Sequence, residues 1–206
     1  MKFILGHKGI HYKYPENSLE SIVEIFKYKS DKFKLGVEFD INLTKDNKLI
    51  LFHDNMINGK KINNLFYKEI KMLNKNIPLL EDVFKKFNNK KDYIMDIELK
   101  EYPINKLLYC NILIDLLNKY NLNYFTSTFS KEINNILKNK NINCYLLSDE
   151  KSYDGDIVHY SKITENCKGV YTIFDDEFNC NYLDNISNID ILITDDINKL
   201  IKFFNE

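Results

Sequence analysis

Short apolar runs alternate along the chain with longer segments in which apolar residues recur every three or four positions. The short runs are typical of buried β-strands, and the longer segments are typical of helices that pack on a sheet. This alternation predicts repeated βα units around a parallel sheet. The predicted strands are KFIL, LGVEFDI, DYIMDIEL, YFTSTF, NCYLL, DIVHY, GVYTIF and DILIT. Eight strands of this kind favour a closed (β/α)8 TIM barrel.

Helical periodicity predicts the elements between these strands. The first predicted helix carries Leu19 and Phe26 on one face, with Asn17 as its N-cap. Other helices are expected after Pro78, from 104 to 120 with Leu107, Leu108, Leu113, Leu116 and Leu117 on the apolar stripe, after a Ser130 cap, and from Ile197. Fewer than a dozen residues separate NCYLL from DIVHY and DIVHY from GVYTIF, while a parallel crossover usually needs about a dozen. We therefore predict a compact barrel whose second half has missing or one-turn helices.

Length and charge narrow the class of protein. A chain of 206 residues, 44% hydrophobic and 29% charged, is ordinary for one globular domain, so residues 1–206 are expected to form a single domain. The formal charge of -1 provides no overall attraction to nucleic acid or to anionic lipid. Any anionic ligand must then be bound by local groups, and every basic residue apart from histidine is lysine.

The cysteines and the apolar segments bear on location. The cysteines form no C-x-x-C pair, which favours free thiols in a reducing compartment. No run is long enough for a signal-peptide core or a membrane span, so we expect a cytoplasmic protein without stable membrane insertion. The cysteines are Cys110, Cys144, Cys167 and Cys180.

Two carboxylates occupy the end of the second predicted strand. Glu38 and Asp40 are two residues apart in GVEFDI, so their side chains point to the same face of the sheet. Adjacent carboxylates repel unless a proton or a cation lies between them. A hard divalent ion fits this pair, although one of the two facing solvent is the alternative.

The chain then turns at TKDN and returns as KLILFHD. A link this short suits an antiparallel hairpin and excludes a parallel crossover. The returning strand brings His53 near the level of Glu38 and Asp40. A lone histidine after an apolar run is usually structural, but its convergence with two carboxylates favours a functional role.

The third predicted strand repeats the pattern. Asp96, Glu98 and Lys100 share one face in DIELK, which indicates a third oxygen ligand and a positive charge, or alternatively a salt-bridged structural ladder. His7 ends the first strand on the same rim, where barrel enzymes have their active sites. Oxygen ligands select Mg²⁺ or Ca²⁺, and lysines beside a cation suit a phosphate ester. With two imidazoles as acid and base, cleavage of a phosphodiester is the reaction that uses every part.

The motifs resemble those of the glycerophosphodiester phosphodiesterase family. His7-Lys8-Gly9, five residues, and Pro15-Glu16-Asn17-Ser18 are similar to its His-Arg-Gly…Pro-Glu-Asn-Thr signature. The segments EFD, TKD, HD, IPLLEDVF, IELK and ILITDD match later family motifs in order, from residue 38 to residue 196. The resemblance is strong up to about residue 100 and thin from there to about 185, and it implies a (β/α)8 barrel.

This resemblance implies roles for the site residues. It assigns proton transfer to His7 and His53, phosphate binding to Lys8 and Lys100, and binding of one Mg²⁺ or Ca²⁺ to Glu38, Asp40 and Glu98. Glu16 and Asn17 would support the first loop. Lys8 departs from the family's arginine and loses its bidentate fork, and Tyr171 stands where the family has a tryptophan, in the half expected to bind the alcohol.

The expected activity is metal-dependent hydrolysis of small glycerophosphodiesters to glycerol phosphate and an alcohol. One alternative is a lysophospholipase D-like or cyclising phosphodiesterase that acts on lysophospholipids. The other is a barrel that binds a phosphorylated ligand without catalysis. The sequence leaves open which histidine is the acid, which cation is bound, whether a cyclic phosphate forms, and the oligomeric state.

Overall fold

The chain folds as a barrel of parallel strands surrounded by helices. The computed structural model describes residues 2–148, 155–164, 166–176, 186 and 189–205. The strands are β1 (Phe3–Gly6), β2 (Lys34–Leu43), β3 (Leu49–Leu51), β4 (Met56–Ile57), β5 (Lys60–Lys61), β6 (Tyr93–Leu99), β7 (Tyr124–Thr128), β8 (Cys144–Ser148), β9 (Ile157–His159), β10 (Gly169–Ile173) and β11 (Ile191–Thr194). The helices are α1 (Leu19–Val23), α2 (Tyr67–Leu73), α3 (Leu80–Phe87), α4 (Lys106–Leu117), α5 (Lys131–Asn139) and α6 (Ile197–Phe203).

The barrel closes through parallel pairing all the way round. The order is β1-β2-β6-β7-β8-β9-β10-β11, and β11 returns to β1. Each of these eight strands corresponds to one predicted from the sequence, so the (β/α)8 fold is confirmed. None of the helices within the described ranges combines the length and the apolar character that a membrane crossing requires.

Alternation along the strands produces two apolar layers. Side chains inside the barrel form a small core from Leu5, Ile94, Phe125, Leu147, Ile157, Ile191 and Ile193. The larger core lies between the strands and the surrounding helices. Space inside is tight at Gly36, where an added Cβ would lie 2.0 Å from the backbone oxygen of Ile94. The apolar interior therefore closes the barrel below its carboxyl-terminal rim.

An excursion from the barrel follows β2. Strand β3 pairs with β2 in antiparallel register, with Leu43 opposite Leu49 and Ile41 opposite Leu51, which confirms the predicted hairpin. The chain between β3 and α3 has its own buried cluster, formed by Ile50, Ile57, Ile62, Leu65, Ile70 and Ile77. This cluster supports the segment that carries His53.

Two helix predictions need correction. Asn17 is not the N-cap of α1, because the Ser18 hydroxyl accepts the hydrogen bond from the Ser21 backbone N–H. In α4 the inner face is formed by Tyr109, Cys110, Leu113 and Leu117, while Leu107 and Leu108 are exposed. The aromatic and thiol positions continue the same three-to-four spacing, so the buried stripe is rotated from the predicted one.

In the second half of the barrel, α5 joins β7 to β8, and the later links are described only in part. A single 3₁₀ turn, Tyr160–Lys162, lies between β9 and β10, as predicted. The link between β8 and β9 falls largely on residues 149–154, which lie outside the described residues. Cys110, Cys144 and Cys167 are free thiols, and Cys180 also lies outside the described part of the chain.

Candidate active site

The candidate site lies at the carboxyl-terminal rim of the barrel, where interior positions change from apolar to polar. On β6 the inward column reads Ile94, Asp96, Glu98 and then Lys100, and Ile94 belongs to the interior core. The inward column of β11 changes from apolar to polar in the same way, from Ile193 to Asp195. Since side chains two apart on a strand share a face, the interior core and the polar site belong to the same inward columns.

His7 follows β1 and is held by two acidic groups. Its Nδ1 lies 2.6 Å from Asp195 Oδ1, and its Nε2 lies 4.0 Å from Glu38 Oε2. A carboxylate only accepts hydrogen bonds, so Nδ1 carries the proton when the ring is neutral and Nε2 is left as the acceptor. Asp195 therefore fixes both the tautomer and the orientation of the ring.

The turn after His7 places a backbone donor in the site. Lys8 and Gly9 have φ angles of 51° and 80°, a left-handed pair that turns the chain sharply. A Cβ on Gly9 would lie 2.6 Å from Ser21 Oγ, so the close approach to α1 also requires glycine. This turn directs the Lys8 backbone N–H at Glu38 Oε2, 2.9 Å away. The Lys8 ammonium lies 3.1 Å from Glu16, which supports its place on the rim of the site.

Three buried carboxylates meet beside His7. Glu38, Asp40 and Glu98 each offer an oxygen, and these oxygens lie within 4.8 Å of one another. Register explains their meeting, because Asp40 pairs directly with Glu98 across β2 and β6. Burial, followed by repulsion from Asp40 and Glu98, raises the pKa of Glu38 well above its usual value. Burial and Asp40 also raise the pKa of Glu98, although Lys100 opposes the shift.

Asp40 is the carboxylate that the surroundings keep ionised. Burial alone would raise its pKa, but Lys100, His53 and the Asn17 amide together hold the pKa below the ordinary value. Asn17 Nδ2 donates to Asp40 Oδ2 over 2.8 Å, and the Asp40 backbone N–H donates to Asn17 Oδ1 over 3.0 Å. Asn17 adopts a φ of 55°, which asparagine tolerates better than most residues. Asn17 thus links the loop after β1 to Asp40 through two hydrogen bonds.

Lys100 lies between two of the carboxylates. Its Nζ is 2.8 Å from Asp40 Oδ1 and 2.6 Å from Glu98 Oε1. Burial opposes its charge, but Glu98 and Asp40 hold its pKa above the usual value. The pair of Lys100 and Glu98 belongs to the salt-bridged ladder that the sequence offered as the alternative to a ligand site.

His53 approaches the cavity from the excursion. The residue follows β3, and its Nδ1 lies 2.8 Å from Asp54 Oδ1. The side chain is 39% exposed, against 23% for His7, so His53 lies on the more open part of the site. The hydrogen bond to Asp54 occupies Nδ1, and Nε2 is the other ring nitrogen.

All seven predicted site residues line one cavity of about 180 Å³. Its other walls come mainly from the second half of the barrel and are largely apolar or aromatic. The full lining is His7, Lys8, Glu38, Asp40, His53, Asp96, Glu98, Lys100, Ser127, Phe129, Leu147, Tyr171, Thr172 and Ile193. A larger cavity of about 470 Å³ is lined by residues 28–35 and 91–93, at the opposite end of the barrel from the usual active-site rim.

Two residues that sequence reasoning left without a role are part of the site. Asp195 contacts His7, and its only sequence signal was its place at the end of a strand in the ILITDD motif. Asp96 is fully buried and accepts a 2.7 Å hydrogen bond from Ser127, while its Oδ2 has no partner within the described part of the chain. Burial raises the pKa of Asp96 well above its usual value.

The donor set fits a hard divalent cation. The three clustered side chains are all carboxylates, which Mg²⁺ and Ca²⁺ prefer to other ligands. Glu38 Oε1 is buried and has no hydrogen-bond partner among the described residues, and coordination to a cation would satisfy this oxygen. The Lys8 backbone N–H on the other oxygen orients this carboxylate.

Fold and site together place paired imidazoles and a carboxylate cluster at the carboxyl-terminal rim of a (β/α)8 barrel. Residues 7–168 match the sequence profile of the glycerophosphoryl diester phosphodiesterase family. The match covers well over half of the chain, so the protein belongs to this family.

Curated relatives and solved structures agree with this assignment. Glycerophosphodiester phosphodiesterases of Bacillus altitudinis and Caldanaerobacter subterraneus are each 28% identical, over 116 and 113 residues. These matches cover 48% and 47% of this chain and 46% and 44% of the relatives, so the chain spans about half the length of the curated relatives it matches.

The structural comparisons extend over the whole chain. The Thermotoga maritima glycerophosphodiester phosphodiesterase has a TM-score of 0.75 and 24% identity, covering 98% of each chain. The Parabacteroides distasonis enzyme has a TM-score of 0.82 and 20% identity, covering 99% of this chain and 96% of that one. An Oleispira antarctica phosphodiesterase solved with the product sn-glycerol-3-phosphate has a TM-score of 0.79 and 16% identity, covering 100% and 97%. At these identities the comparisons establish the shared barrel.

Proposed function

We propose that this chain hydrolyses small glycerophosphodiesters to glycerol phosphate and an alcohol, as one catalytic domain over residues 1–206. The observation that carries the proposal is the meeting of two imidazoles, two lysines and three buried carboxylates around one cavity of about 180 Å³. Membership of the family and the product held by the Oleispira neighbour support the substrate class.

The proposed mechanism gives each of these residues a task. Glu38, Asp40 and Glu98 would hold one Mg²⁺ or Ca²⁺, and such a cation would supply neutralisation of the charge that develops on the phosphate oxygens. Lys8 and Lys100 bind phosphate oxygens from the two sides of the cavity. In the structure Lys8 pairs with Glu16 and Lys100 pairs with Asp40 and Glu98, so each ammonium has to leave a carboxylate before it can bind a phosphate oxygen.

His7 and His53 transfer the protons. Each ring has Nδ1 hydrogen-bonded to a carboxylate, which leaves Nε2 as the working nitrogen. One imidazole activates water or a substrate hydroxyl, and the other protonates the leaving alkoxide, each contributing roughly 10²- to 10⁴-fold in rate. His7 lies against Glu38 while His53 lies on the open side, so the two approach the phosphate from different directions.

A turnover assay tests this proposal. Glycerophosphocholine and glycerophosphoethanolamine are incubated with the protein in Mg²⁺, in Ca²⁺ and in chelator, beside His53→Ala and a matched His11→Ala control whose ring lies outside the cavity lining. We expect release of glycerol phosphate that chelator abolishes and His53→Ala lowers at least about 100-fold, with a smaller effect at His11. A rate of glycerol phosphate release that neither chelator nor His53→Ala changes would contradict the mechanism.

Further arms of the assay address the alternatives. Lysophosphatidylcholine as the preferred substrate would favour the lysophospholipase D-like activity, and a cyclic phosphate product would favour the cyclising one. Binding of glycerol phosphate without turnover of any diester would leave only a ligand-binding barrel.

We also propose a cytoplasmic location, supported by the free thiols of Cys110, Cys144 and Cys167. Fractionation of the source cells tests this location.

A further inference from the structure

Lys100 occupies the centre of the carboxylate cluster. The side chain follows β6 on the inward column and is only 9% exposed. Its ammonium contacts Asp40 Oδ1 and Glu98 Oε1, at 2.8 Å and 2.6 Å. These are ordinary distances for charge-assisted hydrogen bonds, so the ammonium is a full partner of both carboxylates.

The remaining carboxylate oxygens show why this position matters. Asp40 Oδ2 accepts from Asn17, and Glu38 Oε2 accepts from the Lys8 backbone N–H. Glu38 Oε1 is the cluster oxygen that is buried without a partner among the described residues. A cation held by Asp40 Oδ1 and Glu98 Oε1 would therefore take oxygens that Lys100 now engages.

A cation and the Lys100 ammonium cannot both hold the same two carboxylate oxygens, because of distance and charge. Mg²⁺ and Ca²⁺ bind carboxylate oxygens at about 2.0 to 2.6 Å. An ammonium hydrogen-bonded to the same two oxygens lies within a few ångströms of that position, and two such positive charges repel strongly in a buried site.

We propose that the Lys100 ammonium and a divalent cation compete for Asp40 and Glu98, so that cation binding displaces Lys100 from both carboxylates. This inference deepens the proposed function and rests on its cation site. The displaced ammonium remains on the wall of the same cavity, where it can meet a phosphate oxygen. Cation binding then precedes tight binding of the anionic substrate, and Lys100 couples the two events.

Calorimetric titration with Mg²⁺ alone and with Ca²⁺ alone tests the competition without any substrate. Lys100→Gln removes the charge but keeps a hydrogen-bond donor for the carboxylates. We expect this variant to bind the cation at least about tenfold more tightly than the unaltered chain. The matched control is Lys8→Gln. Its ammonium hydrogen-bonds Glu16 and acts on Asp40 and Glu38 only through space, so the affinity of this variant should change by at most about threefold.

Affinity of Lys100→Gln that is unchanged, weaker, or raised no more than in Lys8→Gln overturns the proposal. Cation binding by Lys100→Gln alone, with none by the unaltered chain, supports it as the extreme case of competition. Absence of binding by every form, including a second variant Lys100→Met, overturns it together with the cation site. Tighter binding by Lys100→Gln in a chain that turns over no diester keeps this inference and refutes the proposed activity.

A measurement on the unaltered chain covers the case in which neither variant folds. An amine-reactive label followed by mass spectrometry reports how accessible and how strongly paired each lysine is. Saturating Mg²⁺ or Ca²⁺ should raise labelling of Lys100 at least about threefold relative to Lys106, whose surface partner is Glu132. Labelling of Lys100 that neither ion changes contradicts displacement.

Discussion

Asn17 offers a sharp test of how the first loop supports Asp40. Both residues are almost fully buried, at 3% and 1% exposure, and two hydrogen bonds of 2.8 Å and 3.0 Å join them. Asn17→Gly removes both bonds and leaves a carboxylate oxygen and a backbone N–H without these partners. A buried polar group that loses its partner costs about 1 to 3 kcal/mol, and more when charged, so we expect the free energy of unfolding to fall by about 3 to 5 kcal/mol.

Glycine isolates the side-chain effect because it accepts the φ of 55° at this position. Asn17→Ala should be about 1 to 2 kcal/mol less stable still, since its Cβ must enter the left-handed region. Asn141 is the matched control, because it is exposed and has a φ of 60°. Asn141→Gly should change stability by no more than about 0.5 kcal/mol.

Urea unfolding followed by circular dichroism measures these differences, provided that the dependence on urea concentration keeps the same slope. Turnover of glycerophosphocholine by Asn17→Gly should fall as well, because Asp40 loses the group that orients it. Equal stability losses for Asn17→Gly and Asn141→Gly would refute the reasoning, since the backbone change is common to both.

Three further variants test the contacts of the site. Asp195→Asn should lower kcat at least about 100-fold with little change in KM, because its amide can donate to His7 and reverse the tautomer, whereas Asp196→Asn should stay within about twofold. Asp96→Asn should be more stable than the unaltered chain when both are measured in chelator, and the difference should grow as pH rises above about 4. Because the pKa of Asp96 is raised in the folded state, its carboxyl ionises first in the unfolded chain, and the unaltered chain loses stability as pH rises. Tyr109→Phe should lose about 1 to 2 kcal/mol of stability, since its hydroxyl donates to a buried strand carbonyl. Equal kcat values for Asp195→Asn and Asp196→Asn would contradict the first prediction. A gain in stability of Asp96→Asn that does not depend on pH would contradict the second, and unchanged stability of Tyr109→Phe would contradict the third.

The fold could be predicted from the sequence because the strands have a strict period of two. On β6 and β11 the inward column begins with apolar residues that fill the barrel and ends in polar ones, as in Ile94, Asp96 and Glu98. The same period, together with a turn too short for a crossover, placed His53 beside the cluster. These are local properties, and local patterns are what a single sequence records well.

The pairings inside the site could not be predicted in the same way. His7 and Asp195 are 188 positions apart, and they meet only because β11 closes the barrel against β1. Asn17 has the sequence position of a helix cap, and its left-handed backbone instead turns the amide toward Asp40. Phosphate binding by Lys100 stays a prediction, and a salt bridge to Glu98 was its alternative, but the second contact, to Asp40 on β2, depends on the register between β2 and β6.

The division of chemistry between the barrel halves explains why the family motifs are concentrated in the first half. Strands β1, β2 and β6, with the excursion after β2, supply the imidazoles, lysines and carboxylates of the cavity, while β7 to β11 supply mainly walls such as Phe129, Leu147 and Tyr171. Reacting groups must keep fixed chemistry and spacing, whereas a wall has only to fit a particular alcohol.

The backbone on the wall side is also irregular, with a register shift in β10 and a φ of 60° at Thr172, a rare conformation for a β-branched residue. Strain of this kind persists only where the surrounding structure enforces it. Selection among alcohols is therefore expected to depend on Tyr171 and Thr172, so substitutions there should change the preference between glycerophosphocholine and glycerophosphoethanolamine more than the maximal rate.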